Sequence, residues 1–300
     1  MPRPTCRPDP SGALDFGADS VLDTIPGVDA FAVVLTRRAV SPRGVARPAE
    51  VWRMCQEVAV QASALSGWPP ERFTEVGAGF IVSDMVVEHF RELSYGERTR
   101  ARTWIRDFRR GMVTHREIRL TGDDGPLARA TQRWVHVSRG DHGTIQIGRA
   151  SDDIQAAFAA VKTPAPTAEV PRPTRTTEFG RTDQFELDVW QTWMDPYGHV
   201  NHPMYVDFAD EAVARTALDA GVDPQGIFPV AERVRFRQAA VAGDRLVVET
   251  AAVGTIDSDD VVFEQVVRRA EDHAELARIT LIRGHRSDPE AWRQWWTGPL

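Results

Sequence analysis

The chain has 300 residues, 42% of them hydrophobic with nine Trp and thirteen Phe, and a net charge of −7. That length allows about two ordinary domains, the acidic balance argues against a general nucleic-acid binder, and no apolar run approaches the roughly 18 residues of a membrane span. Cys6 and Cys55 supply neither metal spacing nor a disulfide framework, and no signal-peptide apolar core opens the chain, so the expected compartment is the cytoplasm.

A proline-rich leader, residues 1–27, is expected to be flexible. The alternation of Phe31, Val33 and Leu35 predicts a strand. A Pro/Gly turn from Ser41 leads into a predicted helix over about 48–66, apolar around much of its circumference through Val51, Trp52, Cys55, Val58, Ala59 and Ala62. Strands are predicted near 79–93, 97–109, 112–121 and 127–138, with Asp123-Asp124-Gly125 as a hairpin signal. A short helix is expected over 151–161, then an extended linker over 162–177 marked by Pro164, Pro166, Pro171 and Pro173. The order then repeats: a strand through Phe185, Leu187 and Val189, a turn, a helix over about 203–220, and strands near 228–240, 244–256, 260–270 and 275–285. The tail, 288–300, carries Trp292, Trp295 and Trp296 and is left unexplained by the sequence.

The two halves align. Ser41-Pro-Arg-Gly-Val-Ala-Arg-Pro48 matches Asp195-Pro-Tyr-Gly-His-Val-Asn-His202 without gaps, and Gly96-Glu97-Arg98 matches Gly243-Asp244-Arg245 further on. Agreement in order over both halves predicts a duplication: an N-terminal domain over 28–150, a helix and linker over 151–180, and a C-terminal domain over 181–287. One long helix followed by antiparallel strands that must cover it is an α+β arrangement.

Asp195-Pro-Tyr-Gly-His-Val-Asn-His-Pro-Met-Tyr205 is the chemistry-bearing segment. It resembles the hot-dog thioesterases of the 4-hydroxybenzoyl-CoA and acyl-ACP type, in which an acid, a glycine and a hydrophobic, often Asn-containing stretch enter the central helix. The resemblance implies two tandem hot-dog domains, each a long central helix wrapped by a curved antiparallel sheet, forming an intrachain pseudo-dimer. It implies hydrolysis of an acyl-CoA or acyl carrier protein thioester, without a cofactor or metal, and allows a homodimer of such chains. No nucleic-acid or membrane partner is expected.

The physical reading of the same residues is parallel. A thioester hydrolase needs a carboxylate to activate water or attack, and donors facing the developing oxyanion. Asp195 is the expected base or nucleophile, against the alternative of a turn aspartate. His199 is either a proton-handling group or a turn histidine, and Asn201 either orients the acid or caps the helix. Tyr197, Gly198, His202 and Tyr205 are the expected substrate-binding positions, with Gly198 permitting close approach. Backbone N–H groups from His199 to His202, at the electropositive helix start, are the expected oxyanion donors; in the family the position of His202 supplies one. Plant members carry Asn where Tyr197 stands, and an acid and a Cys where Ala239 and Ala240 align. The first copy carries Ser41, Val45 and Arg47 in place of Asp195, His199 and Asn201, so a single working site is expected.

Three further readings bear on function. Glu57 and Glu211 occupy equivalent helix positions and match another hot-dog class that keeps its acid on the helix, or are simply solvated. Arg98, Arg100, Arg102 and Arg106 line one face of a predicted strand, followed by Arg109 and Arg110; they bind CoA phosphates or an acidic carrier, or form a solvated face balanced by acids. Rival functions are a hydratase or dehydratase on enoyl or 3-hydroxyacyl thioesters, and a non-catalytic acyl-binding protein.

Overall fold

The computed structural model describes residues 22–139, 145–174, 181–256 and 260–297. Most of the leader, including Cys6, lies outside the described residues. The chain forms two compact units, the first running to Ala168 and the second from Glu169, with Ser41–Arg43 and Arg47–Ala49 grouping with the second.

In the first unit, strands β1 (Asp29–Val33), β2 (Ala78–His89), β3 (Thr99–Arg109), β4 (Val113–Gly122) and β5 (Gly125–Arg139) pair antiparallel in the order β1-β3-β4-β5-β2, with β6 (Ile145–Ile147) added on β5. The long helix α1 (Pro48–Leu65) has Pro48 in its first turn, where no intrahelical donor is needed. It ends at Gly67, whose φ of +80° suits a left-handed cap. There Gly67 N–H donates to Ala64 O and Trp68 N–H to Ser63 O, both at 2.9 Å. Val51, Trp52, Met54, Cys55, Val58, Ala59 and Ala62 are buried, a wide apolar arc as the sequence predicts. Two short helices, α2 (Pro70–Glu75) and α3 (Asp152–Ala157), join Trp68, Ile105 and Phe158 in one cluster. The helix expected over 151–161 therefore stops early: by Val161 the chain lies along β3, donating its N–H to Ile105 O at 2.8 Å.

The second unit repeats this plan. Strands β7 (Thr182–Asp188), β8 (Ile227–Phe236), β9 (Arg245–Ile256), β10 (Asp260–Arg269) and β11 (Glu275–His285) pair antiparallel in the order β7-β9-β10-β11-β8 around helix α4 (Met204–Asp219). The α4 terminus copies that of α1: Gly221 has φ +74°, and Val222 N–H donates to Ala217 O at 2.9 Å. Each unit is thus the α+β hot-dog arrangement, helix against curved antiparallel sheet.

Two features lie beyond the sequence reading. The tail forms a helix, α5 (Pro289–Thr297), whose Trp292 and Trp296 are wholly buried against Phe263 at ring separations of 5.8 and 4.6 Å. Trp292 Nε1 donates to Arg283 O at 3.3 Å. Arg283 in turn binds two carboxylates, Asp210 of α4 at 2.7 Å and Glu232 of β8 at 2.8 Å. Two acids share one buried guanidinium, so the cluster carries one excess negative charge. Burial, with Glu232 nearby, pushes the Asp210 carboxyl up to about 6 despite Arg283.

The arginine stripe is spent internally. Arg100 and Arg102 bind Asp23 at 3.1 and 2.7 Å, Arg98 binds Asp123 at 3.1 Å, Arg106 binds Glu117 at 2.7 Å, and Arg109 binds Asp107 at 3.2 Å. The Arg102 guanidinium holds the Asp23 carboxyl below its ordinary range. A free phosphate-binding stripe is therefore not what forms; the acid-balanced face is. It is also not fully solvated, because Arg119 binds Pro166 O and Ala168 N–H donates to Thr131 Oγ1, bringing the linker over it.

The Asp210 cluster sets a pH dependence. A carboxyl raised in the folded state contributes most below its unfolded value, and that contribution is lost as pH rises through about 4 to 6. Asp210→Asn, which leaves a neutral Arg283–Glu232 pair, is expected to stabilise the protein at pH 8 by roughly 1–3 kcal/mol. Thermal unfolding at pH 5 and pH 8 measures it; a less stable variant at pH 8 contradicts the charge count.

Candidate active site

The segment between β7 and α4 is a closed loop. A 3-10 turn, Gln191–Trp193, precedes a bridge between Met194 and Val200. Inside it, Asp195 N–H donates to His199 O at 2.7 Å, and Gly198 N–H to Asp195 O at 3.0 Å. Gly198 has φ +77°, and a Cβ there would meet nothing within 4 Å. The glycine is thus required for its left-handed conformation, and no close neighbour within the fold demands it.

The Asp195 side chain is half-buried and partly committed to this loop. Its Oδ1 accepts from Tyr197 N–H at 2.9 Å and His199 N–H at 3.2 Å. This is the turn-aspartate geometry, and it fixes one oxygen while Oδ2 takes no hydrogen bond among the described residues. The turn holds one oxygen and leaves the other, so a turn role and a catalytic role are compatible.

The first unit builds the same loop without the acid. A 3-10 turn, Arg37–Ala39, precedes a bridge between Val40 and Ala46, and Gly44 has φ +77° like Gly198. Ala46 N–H donates to Leu93 O at 2.8 Å, as Val200 N–H donates to Ala240 O at 2.9 Å. Ser41 stands where Asp195 does.

The expected oxyanion donors need correction. His199 N–H is held by Asp195 Oδ1, Val200 N–H by Ala240 O, and Asn201 N–H by Trp193 O at 2.9 Å. Local backbone closure engages these three N–H groups within the fold. Pro203 is the cap residue of α4, with no side-chain cap bond; Asn201 contributes its carbonyl, which accepts Met204 N–H at 2.9 Å.

The remaining sequence candidates divide by burial. Tyr197 is 46% exposed, and burial of its remainder with the Asp195 charge raises its phenol. Tyr205 is buried, packed edge-on against Phe236 at 5.3 Å with its hydroxyl on the Ala240 backbone; burial pushes the phenol up to about 12. The His202 ring lies 6.0 Å from Phe236, also edge-on. Ala240 is completely buried and bonded to Val200, so that place beside the loop holds only a methyl.

The helix acids resolve differently from expectation. Glu211 is exposed and paired with Arg215 at 2.8 Å, and Glu57 is exposed and bonded by Gln61 at 2.9 Å. Both are solvated. The inward helix acid is Asp210, which the sequence reading missed. Its signal was its place on the stripe Val206–Asp210–Val213–Ala217, whose other members are buried.

Among the described residues no cluster could hold a metal ion, and no helix is long and apolar enough to cross a membrane. Residues 189–285 match the model of the thioesterase-like superfamily. No curated protein sequence matches the chain. Among solved structures, the 12:0-ACP thioesterase of Umbellularia californica superposes with a TM-score of 0.69 at 14% identity, covering 92% of this chain and 100% of that one. The acyl-ACP thioesterase of Bacteroides thetaiotaomicron gives 0.64 at 15% identity, covering 86% and 98%. A candidate oleoyl thioesterase of Lactobacillus plantarum gives 0.68 at 17% identity, covering 86% and 96%. These likenesses extend over both repeats and concern the fold, while the family match rests on the repeat that carries Asp195. The match to the thioesterase-like superfamily model is thus a property of the second repeat, residues 189–285.

Proposed function

We propose that the protein hydrolyses an acyl thioester, carried by CoA or by an acyl carrier protein, at a site built on Asp195. The observation that carries this reading is a carboxylate pinned through one oxygen to Tyr197 and His199 N–H groups, in the superfamily-matching repeat, where the other repeat has Ser41.

Asp195 Oδ2 takes a proton from water while the water oxygen adds to the thioester carbonyl carbon. The tetrahedral intermediate then expels the thiolate, which recovers the proton, giving a carboxylic acid and a thiol. Attack by Oδ2 itself gives an acyl–aspartyl anhydride that water opens to the same products. The electropositive start of α4 favours the oxyanion. His199, whose ring is half-buried and whose main chain brackets Asp195 on both sides, is the group suited to pass the proton to the leaving thiolate. Asn201 closes the loop through its backbone and orients the helix entry.

Thiol release from a panel of acyl-CoAs and acyl carrier proteins tests the activity, with crotonyl-CoA absorbance as the control for hydration. Asp195→Asn is expected to lower kcat by about 100-fold or more with unchanged melting; an unchanged rate removes Asp195 from the chemistry. Tyr205→Phe, which removes a buried hydroxyl from Ala240, is expected to cost about 1 kcal/mol of stability and to leave KM within about twofold of wild type. A large rise in KM without loss of stability would instead make Tyr205 a substrate contact.

A further inference from the structure

One face of the first unit's sheet is apolar and buried through Met85, Ile105, Ile118 and Leu120. Arg116 of β4 interrupts it: the residue is 4% exposed and lies on the same face, opposite Ile105 of β3 and Gln132 of β5. Its Nη1 donates to Thr103 Oγ1 at 3.3 Å, and among the described residues the guanidinium makes no other hydrogen bond. Nε and Nη2 are not enclosed by the fold in the way Arg91 Nε is, so they border space. Burial pushes the guanidinium down to about 10, with the Asp29 charge opposing. Gln132, the cross-strand neighbour, is wholly buried. Its carboxamide oxygen accepts from Trp134 Nε1 at 3.0 Å, while its Nε2 donates to the Met85 thioether at 3.4 Å, a weak acceptor. Two donor groups thus stand side by side, and among the described residues neither holds a carboxylate or carbonyl oxygen.

The countercharge is Asp29 of β1, which is not in ion-pair contact with Arg116 and takes no hydrogen bond among the described residues. The second repeat resolves the same place differently. Asp29 opposes Thr103 and, two residues on, Ile105 opposes Arg116; likewise Asp183 opposes Thr250 and Ala252 opposes Phe263. Phe263 therefore stands where Arg116 does, and Leu281 opposite it where Gln132 does. Phe263 is sealed by Trp292 and Trp296, and Asp183 accepts from Thr216 Oγ1, where α1 carries Ala62. The duplicated scaffold closes this place with Phe and Leu, so the fold does not need Arg116 and Gln132 to complete it. A buried cation without a hydrogen-bonded anion is costly, and its presence in one copy calls for a ligand.

We infer that Arg116 and Gln132 form a carboxylate-binding site inside the first repeat, for a monocarboxylic acid with an aliphatic body. A guanidinium presents its N–H groups in a planar fork that matches the two oxygens of a carboxylate, and the Gln132 amide adds a neutral donor. One cation balances a single negative charge and leaves a phosphate dianion in excess. The flanking Ile105, Ile118 and Met85 suit a hydrocarbon body. Asp29 is the internal competitor, because its charge opposes a second carboxylate near Arg116. Neither the residues nor the ligand class depends on the thioesterase reading of Asp195.

Octanoate tests the site, with 1-octanol as the uncharged control, titrated by calorimetry at about pH 7, where the acid is ionised. Arg116→Met removes the charge and keeps an aliphatic side chain. It is expected to weaken octanoate by about tenfold or more and to leave octanol within about twofold of wild type. Asp29→Asn, on the edge strand and with no hydrogen bond to lose among the described residues, is expected to tighten octanoate by about threefold. That variant keeps the test decisive if Arg116→Met does not fold. Asp195→Asn is expected to leave octanoate within about twofold. Failure of octanoate to bind the wild type, undiminished binding to Arg116→Met, weaker binding to Asp29→Asn, or equal losses of octanoate and octanol overturns the site. A change of more than about threefold in Asp195→Asn moves the carboxylate to the thioester site and overturns it as well. Thiol release tests hydrolysis separately, so the two readings stand or fall on different measurements.

Discussion

The second repeat turns on a single hydrogen-bonding compromise: one carboxylate oxygen serves as the acceptor for the loop that displays it. Two backbone donors converge on Asp195 Oδ1, and the main chain of Asp195 is itself tied to His199 and Gly198. A freely rotating aspartate would sample many orientations, whereas this one is confined by bonds to its own neighbours. Confinement of this kind is what places a reacting atom within reach of a substrate without spending substrate binding energy to do so. One of these bonds engages His199 N–H, while Val200 and Asn201 N–H close onto Ala240 and Trp193 instead.

The two repeats share the scaffold and differ in what is hung on it. Sheet order, helix caps and the glycine turn recur, down to matching φ values at Gly44 and Gly198. Charge and polarity do not recur. The first unit uses its arginines to hold the leader and linker through Asp23 and Pro166, and the second buries a lone arginine between Asp210 and Glu232 beneath the tail helix. Buried ion clusters of this sort add little net stability, and here the surplus acid makes the cluster sensitive to pH.

Much of this was legible in the sequence because it rests on local periodicity and turn chemistry. The alternation in Phe185–Val189, the wide apolar arc of α1 and the Pro-x-Gly turns each encode their conformation within a few residues. The strand ends were less legible: β2 was expected to reach 93 and stops at His89, and β8 was expected to reach 240 and stops at Phe236. In both cases the next two N–H groups converge on one carbonyl of the neighbouring strand, Phe90 and Arg91 on Leu127 O, Arg237 and Gln238 on Leu276 O, so the regular ladder ends there. Asp210 and the tail tryptophans escaped notice because their meaning is tertiary. A carboxylate on an apolar helix stripe makes sense only once Arg283 is seen across from it, and Trp292 only once Phe263 and Arg283 are seen beneath it. At the loop, sequence identified the acid and its setting, while which N–H groups are already engaged depended on closures to Trp193 and Ala240 that no local pattern announces.

The glycine turn has an evolutionary corollary. Its shape is set by left-handed glycines and main-chain bonds, and hardly at all by the residue at its head, which is Ser in one copy and Asp in the other. That head position is therefore decoupled from foldability and free to drift. Either residue is accommodated by the same main chain, so an exchange at that position changes the group on display without rebuilding the loop, a form of modularity that needs only a side chain to change.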